Sequence, residues 1–567
     1  MPAKSRTENI SRIPARTTPF MPVRPVSENG ACSAPRWQHT AVDVGLIIFE
    51  DEHLLVANKP AGWNTHSPSP FAGEGLYEWL KNREPRWSRL AIIHRLDKET
   101  SGLIVFGKTA EANRSLTGQF ERRQVKKKYV LLTDRPVPDA PTRVKSALAR
   151  LGDKYTSRPP HAGGEIAETC FGAGRDFPEL AGAGKLSRIE AEPVTGKTHQ
   201  IRVHAAAQGF PIFGDTLYGG TAAGRVYLHA GEIRFVHPVT GEPVCFAAAA
   251  DFCDDPRAAL RKAVIDETQT NVCRMIHGAA DGWPGLYADR LGDFVLAQSE
   301  FALTAPQRDA VDGQARRAGA RGIYHKILER QARSAPQWLD GEIAPGEIIA
   351  RENGAQFELR FDEGYSAGLF LDQRDNRRRL LTRYIAPRFE LAAGGETLNA
   401  FAYTCGFSVC AAKAGARVTS LDLSKKHLDW GRRNFVLNHL DPAGHDFIYG
   451  DAFEWFRRLA KKGRLYDNII LDPPTFSRSK ESGVFRVERD YGTLVKAALP
   501  LLKPGGTLLA SANAVTLEPE KFLEAIDRAL EEKQRRAVAR QYIPQPQDFP
   551  VHRAEPAYLK TVWLRID

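Results

Sequence analysis

The sequence lacks any long apolar run. Nowhere do about 18 apolar residues follow one another, which is the minimum for a membrane-spanning helix. Residues 1–37 also lack the apolar stretch of a secretion signal. The two absences predict a chain that is neither inserted into a membrane nor exported, and we expect it in the cytoplasm.

Cysteine is scarce and irregularly placed. The 567 residues include 7 cysteines, an odd number, with no Cys-x-x-Cys pair and no histidine grouped with them at zinc-binding spacing. We therefore expect reduced thiols and no bound metal. The seven residues are Cys32, Cys170, Cys245, Cys253, Cys273, Cys405 and Cys410.

Acidic residues are the minority charge. The chain has 79 Lys and Arg residues against 68 Asp and Glu residues, a formal net charge of +11. A basic cytoplasmic protein most often binds a polyanion, which favours nucleic acid, although a solvated basic surface has the same composition. With 42% hydrophobic and 26% charged residues, the composition is that of globular domains, and the length is too great for one core.

The chain divides into four predicted regions. Residues 1–40 hold six basic and two acidic residues and little that forms a core, which predicts a disordered basic tail. Short β-type segments with few helices over residues 41–255 predict a mixed, largely antiparallel sheet. A hinge is predicted at 249–261, followed by a small α+β module at 265–347. Alternating strands and helices over 348–567 predict a doubly wound, Rossmann-like sheet.

A charged string before a strand is the first candidate for catalysis. HRLDKETSG occupies residues 94–102, where Asp97 lies between Arg95 and Lys98. The neighbouring cations favour a charged carboxylate that is available as a nucleophile or base. The alternative for a lone loop aspartate is a cap or a salt bridge. Further strings favour chemistry: KKKY at 126–129, TGKTHQIRVH at 195–204, IFGD at 212–215 and LHA at 228–230.

In this order the strings resemble those of the RluA-type pseudouridine synthases, over residues 46–252. The resemblance implies an RNA uridine isomerase in which Asp97 attacks the target uridine, the bond from C1′ to N1 breaks, and the uracil rejoins through C5. It also implies that Tyr129 packs against the target base and that Arg202 pairs with the catalytic carboxylate. Arg95 would fill the gap left by the flipped nucleotide. Neither a cofactor nor a metal is implied for this half.

The second candidate site follows the strand ends of the C-terminal sheet. A strand at 396–401 runs into a turn of small residues that ends at Gly406, where a helix begins. Asp422 ends the next predicted strand about 20 residues on, where a ribose diol would be held, and Asp451 stands at the end of a third. The string DPPTFS at 472–477 then places an acid and a stiff Pro-Pro loop after a buried strand.

This arrangement resembles a class I S-adenosylmethionine-dependent methyltransferase. GLFLDQRD at 368–375 and the string at 472–480 resemble the large-subunit ribosomal RNA methyltransferases of the RlmI and RlmK kinds, and the likeness covers residues 271–567. The resemblance implies S-adenosylmethionine as the cofactor of this half, Asp472 as a catalytic residue, and 23S ribosomal RNA, rather than DNA, as the partner. The implied cofactor-binding residues are Gln373, Arg374, Phe401, Ala402, Tyr403, Thr404, Gly406, Asp422, Ser424, Asp451 and Asp472.

The absence of a cysteine from the last 157 residues bears on which atom is methylated. Methylation at C5 of cytosine requires a cysteine that adds to the ring, and no cysteine lies beyond Cys410. A guanine ring nitrogen, such as the N7 that the RlmK kind methylates, needs no such activation, and we favour it. Two alternatives stay open: a 5-methylcytosine enzyme that uses Cys405 or Cys410, and a non-catalytic RNA-binding factor in ribosome assembly.

Overall fold

The computed structural model describes residues 45–567 except 179, 181–183, 251, 254, 329–334, 363–365, 480 and 482. The predicted basic tail at residues 1–40 lies outside the described residues. Three sheets of five or more strands follow one another along the chain.

The first domain is built on a mixed sheet. Its strands are β1 (Ile47–Glu50), β2 (Leu54–Lys59), β3 (Ala91–Ile92), β4 (Ser101–Gly107), β5 (Lys126–Thr133), β6 (Thr142–Leu151), β7 (Lys154–Arg158), β8 (Glu165–Phe171), β9 (Arg175–Phe177), β10 (Leu186–Pro193), β11 (Leu228–Val236) and β12 (Pro243–Ala247). The main path runs β1-β2-β4-β11-β5-β10-β8-β6-β7. Within the described pairs only β4 and β11 are parallel. Alternate side chains of β4 pack into two different apolar clusters, one on each face of the sheet, and its continuous run SGLIVFG is therefore buried throughout.

Three helices pack on this sheet: α1 (Leu76–Lys81), α2 (Ala110–Glu121) and α3 (Gln200–Ala207). The Thr109 hydroxyl caps α2 by accepting from the amide of Ala112 at 3.2 Å. His199 precedes α3 in a left-handed conformation with φ 56°. This places the string TGKTHQIRVH across the start of α3.

The central module begins with a helix where a hinge is predicted. α4 (Pro256–Val264) starts directly after Asp255, whose side chain accepts from the amide of Arg257 at 3.0 Å. Arg261 in α4 pairs with the buried Asp281 at 2.5 Å. The second half of the predicted hinge at 249–261 is therefore helical, because Asp-Pro supplies a helix cap and first turn, and its role as a spacer between domains stays a prediction.

A five-stranded sheet forms the centre of this module. Its elements are β13 (Val272–His277), β14 (Leu286–Leu291), β15 (Phe294–Ser299), α5 (Ala305–Arg317), β16 (Gly322–Ile327) and β17 (Gln337–Gly341), and a hairpin of β18 (Ile348–Glu352) and β19 (Ala355–Leu359) follows. The strands are ordered β13-β14-β15-β16-β17. α5 is the crossover between the parallel strands β15 and β16.

The third domain is doubly wound. Its strands are β20 (Tyr384–Ala386), β21 (Phe389–Glu390), β22 (Glu396–Ala400), β23 (Arg417–Asp422), β24 (Asp446–Tyr449), β25 (Tyr466–Leu471), β26 (Phe476–Ser479), β27 (Gly483–Arg486), β28 (Leu502–Asn513), β29 (Ala537–Ile543) and β30 (Leu559–Ile566). Its helices are α6 (Arg374–Thr382), α7 (Gly406–Lys413), α8 (Lys425–Leu437), α9 (Ala452–Lys461), α10 (Val487–Ala498) and α11 (Pro519–Glu532). The order is β24-β23-β22-β25-β28-β30-β29, and only β30 runs against its neighbours.

The predicted fold class is thus confirmed: a mixed sheet, a small α+β module and a Rossmann-like sheet. The carboxyl ends of β22, β23 and β25 meet at one edge, which is where such sheets bind ligands. None of the described helices is long and apolar enough to cross a bilayer.

Helix α6 joins the first and third domains. Arg378 donates to Glu84 at 2.7 Å, and Arg379 lies 3.5 Å from Glu74, so two cations of α6 reach acids beside α1. The Tyr384 hydroxyl adds a hydrogen bond of 2.7 Å to the carbonyl of a residue in α1. The two domains therefore share a polar, partly buried interface.

Candidate active sites

The loop that carries Asp97 is fixed by two buried residues. The Thr65 hydroxyl donates to the carbonyl of Leu96 at 2.9 Å and accepts from its amide at 3.1 Å. The Lys59 ammonium donates to the carbonyl of Lys98 at 3.1 Å. Burial lowers the pKa of Lys59 to about 7, although nearby carboxylates oppose the shift. Main-chain contacts on both sides of Asp97 thus set its position before β4.

Two donors approach the same oxygen of Asp97. Arg202 Nη1 lies 3.8 Å and His199 Nε2 lies 3.9 Å from Asp97 Oδ2. Arg202 is held from its other side by Asp215, to which it donates twice, at 2.7 and 2.8 Å. The structure therefore brings the predicted pair Asp97 and Arg202 together, while the shorter contacts of the arginine go to Asp215.

Tyr129 lies beside this carboxylate on β5. Its backbone pairs with Ala191 in β10 and Ala230 in β11, in the middle of the sheet. Burial, with the negative charge of Asp97 adding to it, raises the pKa of the Tyr129 phenol. The hydroxyl is therefore protonated at neutral pH, and the phenol is close enough to Asp97 to be influenced by its charge.

The residues around the loop differ in exposure. Arg95 is exposed and approaches His66 Nε2 at 3.2 Å, so it stands at the rim of the site. His94 faces inward, accepts from the amide of Val105 at 3.1 Å, and burial lowers its pKa to about 3. Burial lowers the pKa of His204 to about 4. Both imidazoles are neutral at pH 7.

The turn after β22 is strained. Phe401, Tyr403 and Cys405 all have positive φ, at 62°, 49° and 64°, a region that residues other than glycine rarely adopt. The Asp422 carboxylate secures the turn by accepting from the amides of Tyr403 and Ser424, each at 2.8 Å. Strain of this kind persists where the surroundings impose it and is concentrated at functional sites.

Two further hydrogen bonds hold the same turn in place. The Thr404 hydroxyl donates to the carbonyl of Gly368 at 2.5 Å, and the Asn434 amide donates to the carbonyl of Thr404 at 2.9 Å. Ala402 is buried, and Gly406 opens α7. The predicted cofactor residues of this turn are therefore brought together with the string GLFLDQRD.

Gln373 connects that string to the acid after β25. Its amide nitrogen lies 3.2 Å from Asp472 Oδ1 and 2.8 Å from the Ser511 hydroxyl. Burial, reinforced by the negative charge of Asp372, raises the pKa of Asp472 to about 7. A nearby positive charge would favour the ionised form of this carboxyl group, so the site suits the positively charged sulfonium of a bound cofactor. The residues present thus fit S-adenosylmethionine.

The remaining predicted cofactor residues have local partners. Ser424 and Asp451 cap α8 and α9, each accepting from an amide of the first helical turn, at 3.2 and 3.1 Å. The Arg374 guanidinium donates to Asp548 at 2.8 and 2.9 Å. The side chain of Arg374 is therefore committed to this ion pair and not placed against Asp472 or Asp422.

The two cysteines of this region are packed into the core. Cys405 and Cys410 both have zero exposed surface. Burial raises the pKa of the Cys405 thiol to about 12 and raises that of Cys410 as well. Neither thiol is available as a thiolate at neutral pH. Within the described residues, no group of three or more His, Cys, Asp or Glu side chains is placed to hold a metal ion.

Sequence reasoning missed two residues of the first site. His199 and Asp215 both lie in strings that the sequence analysis singled out, but only Arg202 was given a role there. Their contact with the arginine and the carboxylate depends on how α3 folds back over the sheet. The sequence strings contain both residues, but they do not show that His199 meets Asp97 or that Asp215 meets Arg202.

Two family models match the chain. Residues 53–207 match an RNA pseudouridylate synthase model, and residues 296–565 match an S-adenosylmethionine-dependent methyltransferase model. The matches contain Asp97 and Tyr129 in one case, and the turn after β22 and Asp472 in the other.

Curated relatives match the C-terminal part. A ribosomal RNA large subunit methyltransferase of Deinococcus radiodurans is 33% identical over 353 residues, which is 59% of this chain and 83% of the relative. The ribosomal RNA large subunit methyltransferase I of Aeromonas salmonicida is 29% identical and covers 67% of this chain and 93% of its own length. A solved putative methyltransferase complexed with SAH is 31% identical, with a TM-score of 0.48, over 55% of this chain and 79% of its own. The Deinococcus relative, 33% identical with 83% of its length covered, shows that the chain belongs to the ribosomal RNA large subunit methyltransferase family, and the chain joins to that enzyme an RNA pseudouridylate synthase domain.

Proposed function

We propose that this chain makes two modifications in large-subunit ribosomal RNA: it isomerises a uridine through Asp97, and it methylates a ring nitrogen of a guanine at a site that contains Asp472. S-adenosylmethionine supplies the methyl group of the second reaction. RNA of the large ribosomal subunit is the substrate named for the curated relatives.

One observation carries the first activity. Asp97 Oδ2 lies within 3.9 Å of both Arg202 and His199, beside the protonated phenol of Tyr129. In the isomerisation the bond from C1′ to N1 breaks, a bond from C1′ to C5 forms, C5 loses a proton and N1 gains one. Atoms and electrons balance within the nucleotide, so the reaction needs a carboxylate nucleophile and consumes no co-reactant.

The second activity is supported by the residues at the strand ends. Asp422 and the strained turn after β22 stand where a nucleoside binds in this fold, and Gln373 positions Asp472. The choice of guanine is supported by Cys405 and Cys410, whose thiols are fully buried. A lone pair on a ring nitrogen attacks a sulfonium methyl group without a covalent intermediate.

Both reactions are proposed to take place on one RNA. Because Arg378 and Arg379 tie α6 to acids of the first domain, the two sites are parts of one body. An RNA bound at one site then has a raised effective concentration at the other. The proposal therefore includes target nucleotides that lie near each other in the folded ribosomal RNA.

The test is a product analysis. The full chain is incubated with unmodified large-subunit ribosomal RNA and labelled S-adenosylmethionine, and digested nucleosides are separated and weighed by mass spectrometry. We expect pseudouridine and 7-methylguanosine. Labelled 5-methylcytidine would contradict the assigned base, and the absence of both products on naked RNA and on assembly intermediates would favour a non-catalytic assembly factor.

A further inference from the structure

His199 has an unusual position for a loop residue. It directly precedes α3 with φ 56°, in the left-handed region, and its side chain is four-fifths buried against the first site. Its ring meets those of Tyr155 and Tyr218 edge to face, at 5.8 and 5.7 Å between centroids. The imidazole is therefore held by two aromatic neighbours in a strained backbone setting, which points to a role.

Hydrogen bonds to Tyr218 determine which nitrogen of His199 carries the proton. The Tyr218 hydroxyl oxygen accepts from the amide of Tyr155 at 3.0 Å and lies 2.8 Å from His199 Nδ1. Burial raises the pKa of Tyr218, so its hydroxyl keeps a proton, and within the described residues Nδ1 is the acceptor placed to receive it. Nδ1 is then the acceptor of His199, and its Nε2 is the donor.

The imidazole is neutral in this setting. Burial lowers the pKa of His199, while the charge of Asp97 opposes the shift and that of Arg202 adds to it. The other charged group facing the ring is Asp215, which is paired with Arg202. A neutral ring with Nδ1 accepting presents an N–H at Nε2, and Nε2 is the atom that faces Asp97 Oδ2.

We propose that His199 is a positioning residue for the isomerisation: its Nε2–H, oriented by Tyr218, and Arg202 Nη1 hold Asp97 Oδ2 so that Oδ1 is the oxygen that reacts. The inference rests on the proposed function, in which Asp97 is the nucleophile. We expect the separation of 3.9 Å between His199 Nε2 and Asp97 Oδ2 to shorten to a hydrogen bond when uridine binds, because contacts in active sites are commonly long in a free enzyme.

The reaction step assigns each electron pair. A lone pair on Oδ1 forms the bond to C1′ as the pair of the C1′–N1 bond leaves with the uracil. The electron pair of the Oδ1–C1′ bond returns to Oδ1 when C5 of the uracil supplies the pair for the new C1′–C5 bond. C5 then loses its proton, and N1 gains one. Throughout, Oδ2 keeps its contacts with His199 and Arg202, so the carboxylate does not rotate between steps.

The experiment measures the rate of pseudouridine formation with enzyme in excess, from tritium released from 5-tritiated uridine in ribosomal RNA. We expect His199→Ala to lower this rate at saturation by about 10- to 100-fold, the value of one hydrogen bond to a charged group. RNA affinity should stay within about twofold, because the His199 side chain is largely buried and faces Asp97.

Three variants separate positioning from packing. His199→Gln places an amide N–H near the site of Nε2 and should recover most of the rate. Tyr218→Phe removes the oxygen that orients the ring, which is also the acceptor for the amide of Tyr155, and should lower the rate by about three- to tenfold. The control is His161→Ala, at an exposed histidine of the same domain, which should match the unmodified protein.

The outcomes are distinguishable. If Asp97→Asn is inactive while His199→Ala reacts at the normal rate, the inference is overturned and the proposed function stands. Equal losses in His199→Ala and His199→Gln would also overturn it, since packing and not an N–H would then matter. A fully active Asp97→Asn would overturn the proposed function itself.

Discussion

Arg378 in α6 donates to Glu84 at 2.7 Å, and this ion pair joins the methyltransferase domain to the synthase domain. The arginine side chain is 11% exposed and the glutamate 35%. The methyltransferase is therefore docked on its partner domain and not merely tethered to it.

The pair should stabilise the docking by a measurable coupling energy. Arg378→Gln and Glu84→Gln should each lower the free energy of unfolding, and the double variant should lose less than the sum, with a coupling of about 1 kcal/mol because Glu84 is partly solvated. Urea unfolding of the four proteins gives this value. Additive losses would mean that the contact contributes nothing to the docking.

The raised pKa of Asp472 predicts pH-dependent cofactor binding. With a pKa of about 7, this acid is mostly protonated at pH 6 and mostly ionised at pH 8. The affinity for the positively charged S-adenosylmethionine should therefore rise about tenfold over that interval, with release of a proton on binding.

Calorimetry in buffers of different ionisation enthalpy measures both the affinity and the proton. The affinity for S-adenosylhomocysteine, which lacks the sulfonium charge, should depend less on pH. In Asp472→Asn the pH dependence that comes from this carboxyl group should disappear. An affinity for S-adenosylmethionine that is equal at pH 6 and pH 8 would rule out the ionisation of Asp472 as a contributor.

The buried cysteines predict that no covalent RNA intermediate forms in the methyltransferase site. Cys405 and Cys410 have no exposed surface, and burial raises the pKa of both thiols. Ribosomal RNA that contains 5-fluorocytidine traps enzymes that add a cysteine to the ring. After incubation with S-adenosylmethionine, denaturing electrophoresis should show no cross-linked band.

Iodoacetamide provides a control on thiol access. The exposed Cys253 should be alkylated long before Cys405 or Cys410 in the folded protein. A trapped RNA band that disappears in Cys405→Ala or Cys410→Ala would instead support a 5-methylcytosine enzyme.

Local strings predicted much of the two sites. Asp97, Tyr129 and Arg202 lie in three separate strings, and the fold of the first domain brings them close to one another. The continuous apolar run of β4 and the alternation of strands and helices after β22 were likewise readable, because burial on both faces leaves a direct trace in sequence.

Ion pairs between residues far apart in the chain could not be predicted from the sequence. Arg202 donates its shortest hydrogen bonds to Asp215. Arg374 donates to Asp548, which lies 174 positions further along the chain. The run RDNRRRLLT of α6 looks like an exposed basic helix, yet its Arg377 is buried in a pair with Glu352 at 2.6 Å. Charge composition cannot tell a solvated arginine from one that meets an acid of another domain.

The central claim is that two separate sites on this chain each perform one reaction. Asp97→Asn and Asp472→Asn, each incubated with unmodified large-subunit ribosomal RNA and S-adenosylmethionine, test it most directly by nucleoside mass spectrometry. Asp97→Asn should lose pseudouridine by at least about a thousandfold and keep methylation, and Asp472→Asn should show the reverse pattern. Pseudouridine formed at the normal rate by Asp97→Asn, or loss of both products in either variant with its fold intact, would contradict the account.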